Sequence, residues 1–486
     1  MTGLMRDPRG TGGRRGVAGW ALGLALVGCA PPDPEAARAA WLADQLVTEN
    51  RVWLSRDPEL VAWKFEKMAA DPYDFLRGSA GTWYADLARP DPDRLTTRFL
   101  VEPEAAGVLL VGDPHPENLS TVHAGDREIP PLELVDLDAA GFGPWVLDLR
   151  RAALGLAVLQ AGMEGCDELA CLQPALRALS DGWADGVKEG SVAPRVALDA
   201  DGRIIEALLE SAIEAAAERS REEDVTAVEG NAEGGERRLL LLDRPDADHL
   251  GLVRLSEGER AEVERLVAAA RPRLPGGFRL LDAGRRYGVG VSSYAALRYV
   301  LLWDLGDDDP DDDMLLEARE VVDPPALPGG PRPPFADNAE RLERAALQLW
   351  SVDVDQPGYL TVLQGGLCFR FLPWTSWYQN IDHVDVGERW AEGGLDALDW
   401  EGLGRSLGRL LAAGHLGGPT ASGLDPLSVL RADLEAGGGE EGLYEELLIG
   451  ARADRDRLLA DYGLFRGLID RDGPLLGAER LPDDVP

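Results

Sequence analysis

The chain has 486 residues, enough for two lobes or domains of ordinary size, and sets 86 acidic against 49 basic residues, a formal net charge of -37. Such an acidic excess argues against a nucleic-acid partner, because phosphate backbones are gripped by clustered Lys and Arg; it also keeps the chain soluble and repels anionic surfaces. The basic residues are nearly all arginine, the lysines being Lys64, Lys67 and Lys188.

At the amino terminus Arg6, Arg9, Arg14 and Arg15 precede an apolar run over 17–28 and then Cys29. A positive flank, a short apolar core and small residues at the break are the parts of a secretory signal. The run is shorter than the roughly 20 apolar residues that a stable span needs. Leu26-Val27-Gly28-Cys29 resembles a bacterial lipobox, which implies a signal peptide over 1–28, acylation of Cys29, and a cell-envelope protein held to the membrane through its amino-terminal lipid. Residues 29–40, beginning Cys-Ala-Pro-Pro-Asp-Pro, suit a tether. Cys166 and Cys171 form either a local disulfide or two buried thiols. With Cys368 as the one other cysteine and no CxxC, nothing points to structural zinc.

Residues 35–87 are helical in pattern, with Trp53, Trp63, Phe65, Phe75, Trp83 and Tyr84 at mixed spacing. A strand over 107–111 is broken by Gly112-Asp-Pro-His-Pro-Glu-Asn118, and a second strand over 132–136 follows a polar turn. Apolar residues at three-to-four spacing predict a long helix over 145–159. Residues 170–275 read as mostly helical, including a Glu/Ala/Arg-rich stretch over 206–221. Then the period changes. Segments 278–281 and 295–303 read as strands flanking Gly288-Val-Gly290-Val-Ser-Ser293, and the acidic turn 307–313 leads to a third strand over 314–321. That acidic run lacks the spacing of a calcium loop and reads as a solvated hairpin turn. A Pro/Gly linker over 324–334, a helix over 338–350, two short strands in 359–372 and an amphipathic helix over 403–416 follow, before further helix and a polar tail.

The chemistry concentrates in Gly112-Asp113-Pro-His115-Pro-Glu-Asn118, Val135-Asp136-Leu-Asp138 and Asp148-Leu-Arg-Arg151. Phosphoryl transfer from a nucleotide needs a carboxylate near the acceptor hydroxyl and oxygen ligands that hold magnesium on the donor phosphates. An Asp, an Asn five residues on, and a strand ending in Asp supply those groups, and the prolines stiffen the loop between them. The plainer alternative is that these carboxylates cap turns and one helix.

These segments resemble the aminoglycoside phosphotransferase and protein-kinase-like superfamily, whose loop reads His-Gly-Asp-x-His-x-x-Asn with an Ile-Asp strand after it. More closely they resemble the uncharacterised family DUF2252, through 67–78, 112–118, 135–151, the Gly288 loop and the helix over 403–415. The resemblance implies an α+β, protein-kinase-like two-lobed fold. A mostly helical large lobe over 41–275 would hold the catalytic-type loop 112–138; a small antiparallel-sheet lobe over 276–375 would hold the Gly loop 288–293; helices over 376–486 would return to the large lobe. The small lobe here follows the catalytic loop, and helix 403–415 resembles the one that should lead directly into Gly112. Circular permutation is therefore implied, a change tolerated where termini lie close.

By that resemblance Asp113 and His115 belong to the catalytic loop, His115 by hydrogen-bonding its backbone. Asn118, Asp136 and Asp138 are the magnesium ligands, and Asp148 braces the loop. Gly288, Gly290, Ser292 and Arg319 are the contacts to ATP or another nucleotide, a glycine loop letting backbone N–H groups approach phosphates. Arg319 stands where the family shows a lysine, an exchange that keeps charge but not shape. Lys67 is a lysine that could reach in instead, and Glu340 or Glu343 a partner for Arg319. Trp374, Trp377 and Tyr378 either line a ligand cleft or pack between lobes.

The expected function is a magnesium-dependent, kinase-like phosphotransferase of the envelope acting on a small-molecule or protein acceptor. The alternative is a pseudokinase-like lipoprotein that binds a ligand or scaffolds without turnover, favoured by Arg319 and by the scarcity of ATP outside the cytoplasm. Asp113-Pro-His115 also suggests a metallophosphoesterase, but the chain has only 5 histidines and no Gly-Asn-His segment.

Overall fold

The computed structural model describes residues 33–89, 97–99, 107–122, 132–190, 228–229, 237–246, 249–274, 276–304, 313–325, 335–350, 360–374, 378 and 380–478. The signal and Cys29, the Glu/Ala/Arg-rich stretch 206–221, residues 307–312 of the acidic turn, and Trp377 lie outside them.

Five helices come first: α1 (Pro34–Glu49), α2 (Arg51–Leu54), α3 (Pro58–Ala70), α4 (Pro72–Gly78) and α5 (Ala80–Leu87). Asp33, Asp57 and Asp71 each stand before a proline and accept a backbone N–H from the next turn. The aspartate satisfies a donor with no helical acceptor, and the proline occupies a position whose N–H would be unpaired anyway. β1 (Gly107–Leu110) pairs with β4 (Gly141–Pro144), and β2 (Leu119–Thr121) with β3 (Leu132–Leu134), both antiparallel. The strand expected over 132–136 thus stops at Leu134, leaving Asp136 outside the ladder. Next come α6 (Val146–Ala161), buried along nearly its whole length, and α7 (Gln173–Glu189). Cys166 and Cys171, between these helices, are joined as a disulfide.

After the two-residue strands β5 (Val228–Glu229) and β6 (Arg238–Leu239) comes one six-stranded antiparallel sheet. Its strands are β7 (Gly251–Arg254), β8 (Arg279–Tyr287), β9 (Arg298–Asp304), β10 (Met314–Val321), β11 (Leu360–Gln364) and β12 (Leu367–Pro373), ordered β11-β12-β10-β9-β8-β7. Helix α8 (Glu257–Ala270) covers one face: its Val263, Leu266 and Val267 share a core with Tyr299, Trp303 and Phe369. Residues 251–274 therefore belong with the sheet, not with the helical region assigned over 41–275. In β7 the structure buries Val253 between the more exposed Leu252 and Arg254, a period of two. β9 starts at Arg298 rather than 295, because 291–296 is taken up by two tight turns closed by Tyr294 N–H to Val291 and Ala296 N–H to Ser293.

Helix α9 (Asn338–Leu349) lies between β10 and β11 in the chain, and α10 (His383–Ala391), α11 (Ala397–Leu416), α12 (Pro426–Ala436) and α13 (Gly439–Asp472) complete the helical body. α7 and α11 meet backbone to backbone: a Cβ at Gly404 would stand 2.1 Å from the Ala175 carbonyl oxygen, and one at Gly408 2.2 Å from that of Leu179. Glycine is what permits that approach. It sets the carboxyl end of α11 beside β1, where His415 is buried and Ala421 N–H bonds the Gly107 carbonyl at 2.8 Å. Among the described residues no helix is long and apolar enough to cross a membrane.

Candidate functional site

β1 runs into a loop held from behind. Gly112 has φ +87, and a Cβ there would come 2.2 Å from the Ala139 carbonyl oxygen, so the position requires glycine twice over. Asp148, on the first turn of α6, is wholly buried and accepts the N–H groups of Val111 and Gly112 at 2.8 and 2.9 Å. His415 stands behind Asp148: Trp183 donates to its Nδ1 at 3.1 Å, which leaves the ring proton on Nε2 to bond Asp148 Oδ2 at 3.1 Å. Arg341, from α9, donates to the carbonyls of Asp138 and Ala140 at 2.9 and 3.0 Å and so fixes the facing segment.

Asp113 lies at the loop's crest, 8 % exposed, with Oδ1 bonded by Arg151 Nε at 2.7 Å. Asn118 turns its Nδ2 to the Asp113 carbonyl at 2.7 Å. His115 does not hydrogen-bond the loop backbone as expected. Its ring is buried edge-on to Tyr73, Nδ1 has no partner, and Nε2 lies 3.7 Å from Asp113. Burial holds its pKa low, against the pull of Asp113. It lines neither of the cavities described below.

Asp136 and Asp138 point at the sheet, where Arg319 Nη2 bonds Asp136 at 3.1 Å and Asp138 at 2.6 Å. Arg370, on β12, places Nη1 3.1 Å from Asp138 Oδ1. Burial opposes the charge on Asp136, but Arg319 and then Arg370 outweigh it and hold its pKa well below the usual carboxylate range. Arg319 pairs with neither expected glutamate. Glu343 bonds Thr361 and Arg273, and Glu340 closes the start of its own helix through Ala336 N–H.

Two cavities meet at Asp136. The larger, of about 430 Å³, is lined by Arg77, Arg286, Arg298, Arg319 and Arg370, with Asn118, Gly290 and the aromatics Trp350, Trp374 and Tyr378 on its walls. The smaller, of about 270 Å³, is lined by Asp113, Asp138, Ser292, Ser293, Glu49 and Lys64. Of the expected nucleotide contacts, Gly290 and Arg319 thus face one cavity and Ser292 the other. Gly288 faces neither; with φ +80 it turns the chain against the His249 carbonyl. Lys67 lies over the Tyr294 ring, and the lysine that reaches the crevice is Lys64.

The residues in place do not fit a resident magnesium ion. Both carboxylates of the expected set already hold guanidiniums, and a divalent cation at Asp136 Oδ1 or Asp138 Oδ2 would displace Arg319 or press against its charge.

Lys64 donates to Asn50 at 2.8 Å and to the Ser292 carbonyl at 2.9 Å, tying α3 to the 288–297 segment. Burial pushes the neighbouring Glu49 carboxyl up to about 7, against the pull of Thr82 and Lys64, and brings Lys64 down to about 8. A carboxyl raised from 4.5 to about 7 binds more protons folded than unfolded across that window. Its contribution to stability is whole below pH 4.5 and is lost as pH rises through about 7. Glu49→Gln is expected to flatten this decline, which urea midpoints taken across the window would show.

Glu117, the other polar side chain of the loop, accepts from Arg77 at 2.7 Å and from the ring of His383. Glu117, Asp382 and His383 bring their ligand atoms within 4.8 Å of one another. The pair locks the loop to the start of α10, since His383 N–H also bonds Glu117 at 2.9 Å.

Several of these groups escape a motif reading: Glu49, Lys64, Arg298, Arg370 and His383. Two left a signal. Lys64 falls at helical spacing among the buried Leu60, Val61, Phe65 and Met68. Arg370 lies between Phe369 and Phe371, so period two turns it away from their core.

Residues 56–346 match the family model DUF2252, described as an uncharacterized protein conserved in bacteria. No curated protein and no solved structure matches the chain.

Proposed function

The chain belongs to the DUF2252 family, and we propose that its crevice is a phosphotransferase-type site, kinase-like in layout, on a lipid-anchored envelope protein. One observation carries this reading: Asp136 is shared by two cavities of opposite character. The cavity holding Asp113 is the acceptor side, and the arginine-lined cavity is the donor side. Transfer of a phosphoryl group needs little covalent chemistry from the protein beyond this placement, a carboxylate for the acceptor's proton and positive charge around the donor. Arg151 keeps Asp113 oriented, and Asp148 with His415 fixes the loop on which it sits.

The order of elements supports the kinase-like layout. Strand, the 288–297 segment, two strands, a helix and two strands follow one another as the resemblance implies. Circular permutation is supported by α11, whose end lies beside β1 through His415 and through the Ala421–Gly107 bond, far from it in sequence. The resemblance of Leu26-Val27-Gly28-Cys29 to a lipobox supports the envelope anchor.

A second reading has its own observation. Asp113, Asp136 and Asp138 are all paired with arginines, as suits a site that binds a ligand and turns nothing over. Incubating the full chain with terminally labelled ATP, with and without magnesium, separates the two. Released or transferred label supports the transferase; binding without turnover supports the pseudokinase-like protein; neither binding nor turnover sinks both.

A further inference from the structure

We infer that the guanidiniums of Arg319 and Arg370 take the part of the divalent cation, so that the larger cavity binds a phosphoanhydride chain of two or more linked phosphates without metal. The inference deepens the phosphotransferase reading and rests on it for which cavity holds the donor.

In a chain with 49 basic residues against 86 acidic ones, five arginines converge on this one cavity. Arg370 is 3 % exposed in the middle of β12; its Nε makes no hydrogen bond, and its Nη1 has only ion-pair contact with Asp138, at 3.1 Å, and with Asp136. Arg319 is 7 % exposed, and its Nε likewise has no acceptor. Buried donors with nothing to bond are costly and uncommon, and a ligand that brings acceptors resolves them. A guanidinium fork matches the paired oxygens of a phosphate better than a lysine does, so arginine at 319 suits a phosphate ligand.

The charges nearby point the same way. Arg319 and Arg370 balance Asp136 and Asp138, which hold them in place. Arg286 and Arg298 share the single Glu317, at 2.8 and 2.6 Å, and so bring one charge in excess. Two arginines on one carboxylate hold Glu317 at about 2, though burial alone would raise it, so it stays ionised. Arg286 reaches the rim over the Trp374 ring at 4.2 Å. Trp350, Trp374 and Tyr378 would accept a nucleobase, whereas the arginines alone would serve inorganic polyphosphate. Phosphate chains are the chemistry both sources share.

The test is calorimetric titration of the full chain with tripolyphosphate and with ATP, each in EDTA and in magnesium. Both are expected to bind in EDTA, with affinity falling roughly tenfold or more in Arg370→Met, the loss of one charge-assisted fork. ATP markedly tighter than tripolyphosphate would make the ligand a nucleotide; equal affinities would make it the phosphate chain itself, and either outcome supports the inference. Thermal unfolding checks that Arg370→Met is folded; if it is not, Arg286→Met at the half-buried rim serves, with a smaller loss expected. Binding that appears only with magnesium overturns the inference and leaves the phosphotransferase reading standing. Metal-free binding untouched by either variant puts the anion elsewhere and also overturns it. If neither ligand binds in either condition, the inference and the donor assignment fail together.

Discussion

Asp148→Ala is expected to lower the unfolding free energy by about 3–5 kcal/mol, the range for removing one partner from a buried charged network. The carboxylate is fully buried and takes three bonds, from Val111 N–H, Gly112 N–H and His415 Nε2. Alanine would leave all three buried donors without the acceptor they share. Because Trp183 bonds the other nitrogen of His415, the loss would spread to the packing of α7 on α11. Urea unfolding of the full chain measures it. A change under about 1 kcal/mol, the worth of an ordinary hydrogen bond, would show that the loop is not braced from α6.

Asp113→Asn is expected to reduce phosphoryl transfer by roughly 10²–10⁴-fold, the usual contribution of a positioned general base. The amide keeps the size of the carboxylate and can still accept from Arg151, so folding and ligand affinity should change little. His115 offers the internal comparison. It is buried behind Asp113, lines neither cavity, and has its pKa held low by burial, so it is neutral near pH 7. His115→Gln should therefore leave the turnover rate within a few-fold while altering stability. Equal losses in the two variants would move the chemistry away from Asp113.

The helical body was legible from the three-to-four spacing in α6 and α11, and the sheet from its short apolar runs between turns, with alternation clear at Phe369-Arg370-Phe371 of β12. Asp113, Asn118 and Asp136 were also legible, from the loop spacing and the strand before Asp136, whereas Arg319 was reached only through the family resemblance. What the spacing could not reveal was charge pairing. Whether Arg319 meets Glu343, on the helix after its own strand, or Asp136, from 183 residues earlier in the chain, depends on how the sheet settles over the loop. The edge strand β7 was missed for a simpler reason. Four residues between a helix and a loop carry too little alternation to outweigh a helical neighbourhood. The Arg370 cluster draws on separate strands, β8, β9, β10 and β12, and no local pattern assembles it.

The most direct test of the proposed donor site is a calorimetric titration of the full chain with ATP, magnesium present so that either source of positive charge can act, beside Arg319→Met as the control. Arg319 holds Asp136 and Asp138 and faces the larger cavity, so its loss removes the centre of the site. Saturable binding of one nucleotide per chain, lost in the variant while its fold persists by circular dichroism, is the predicted result. Binding at full strength in Arg319→Met, or none to any nucleotide in the unaltered chain, would contradict it.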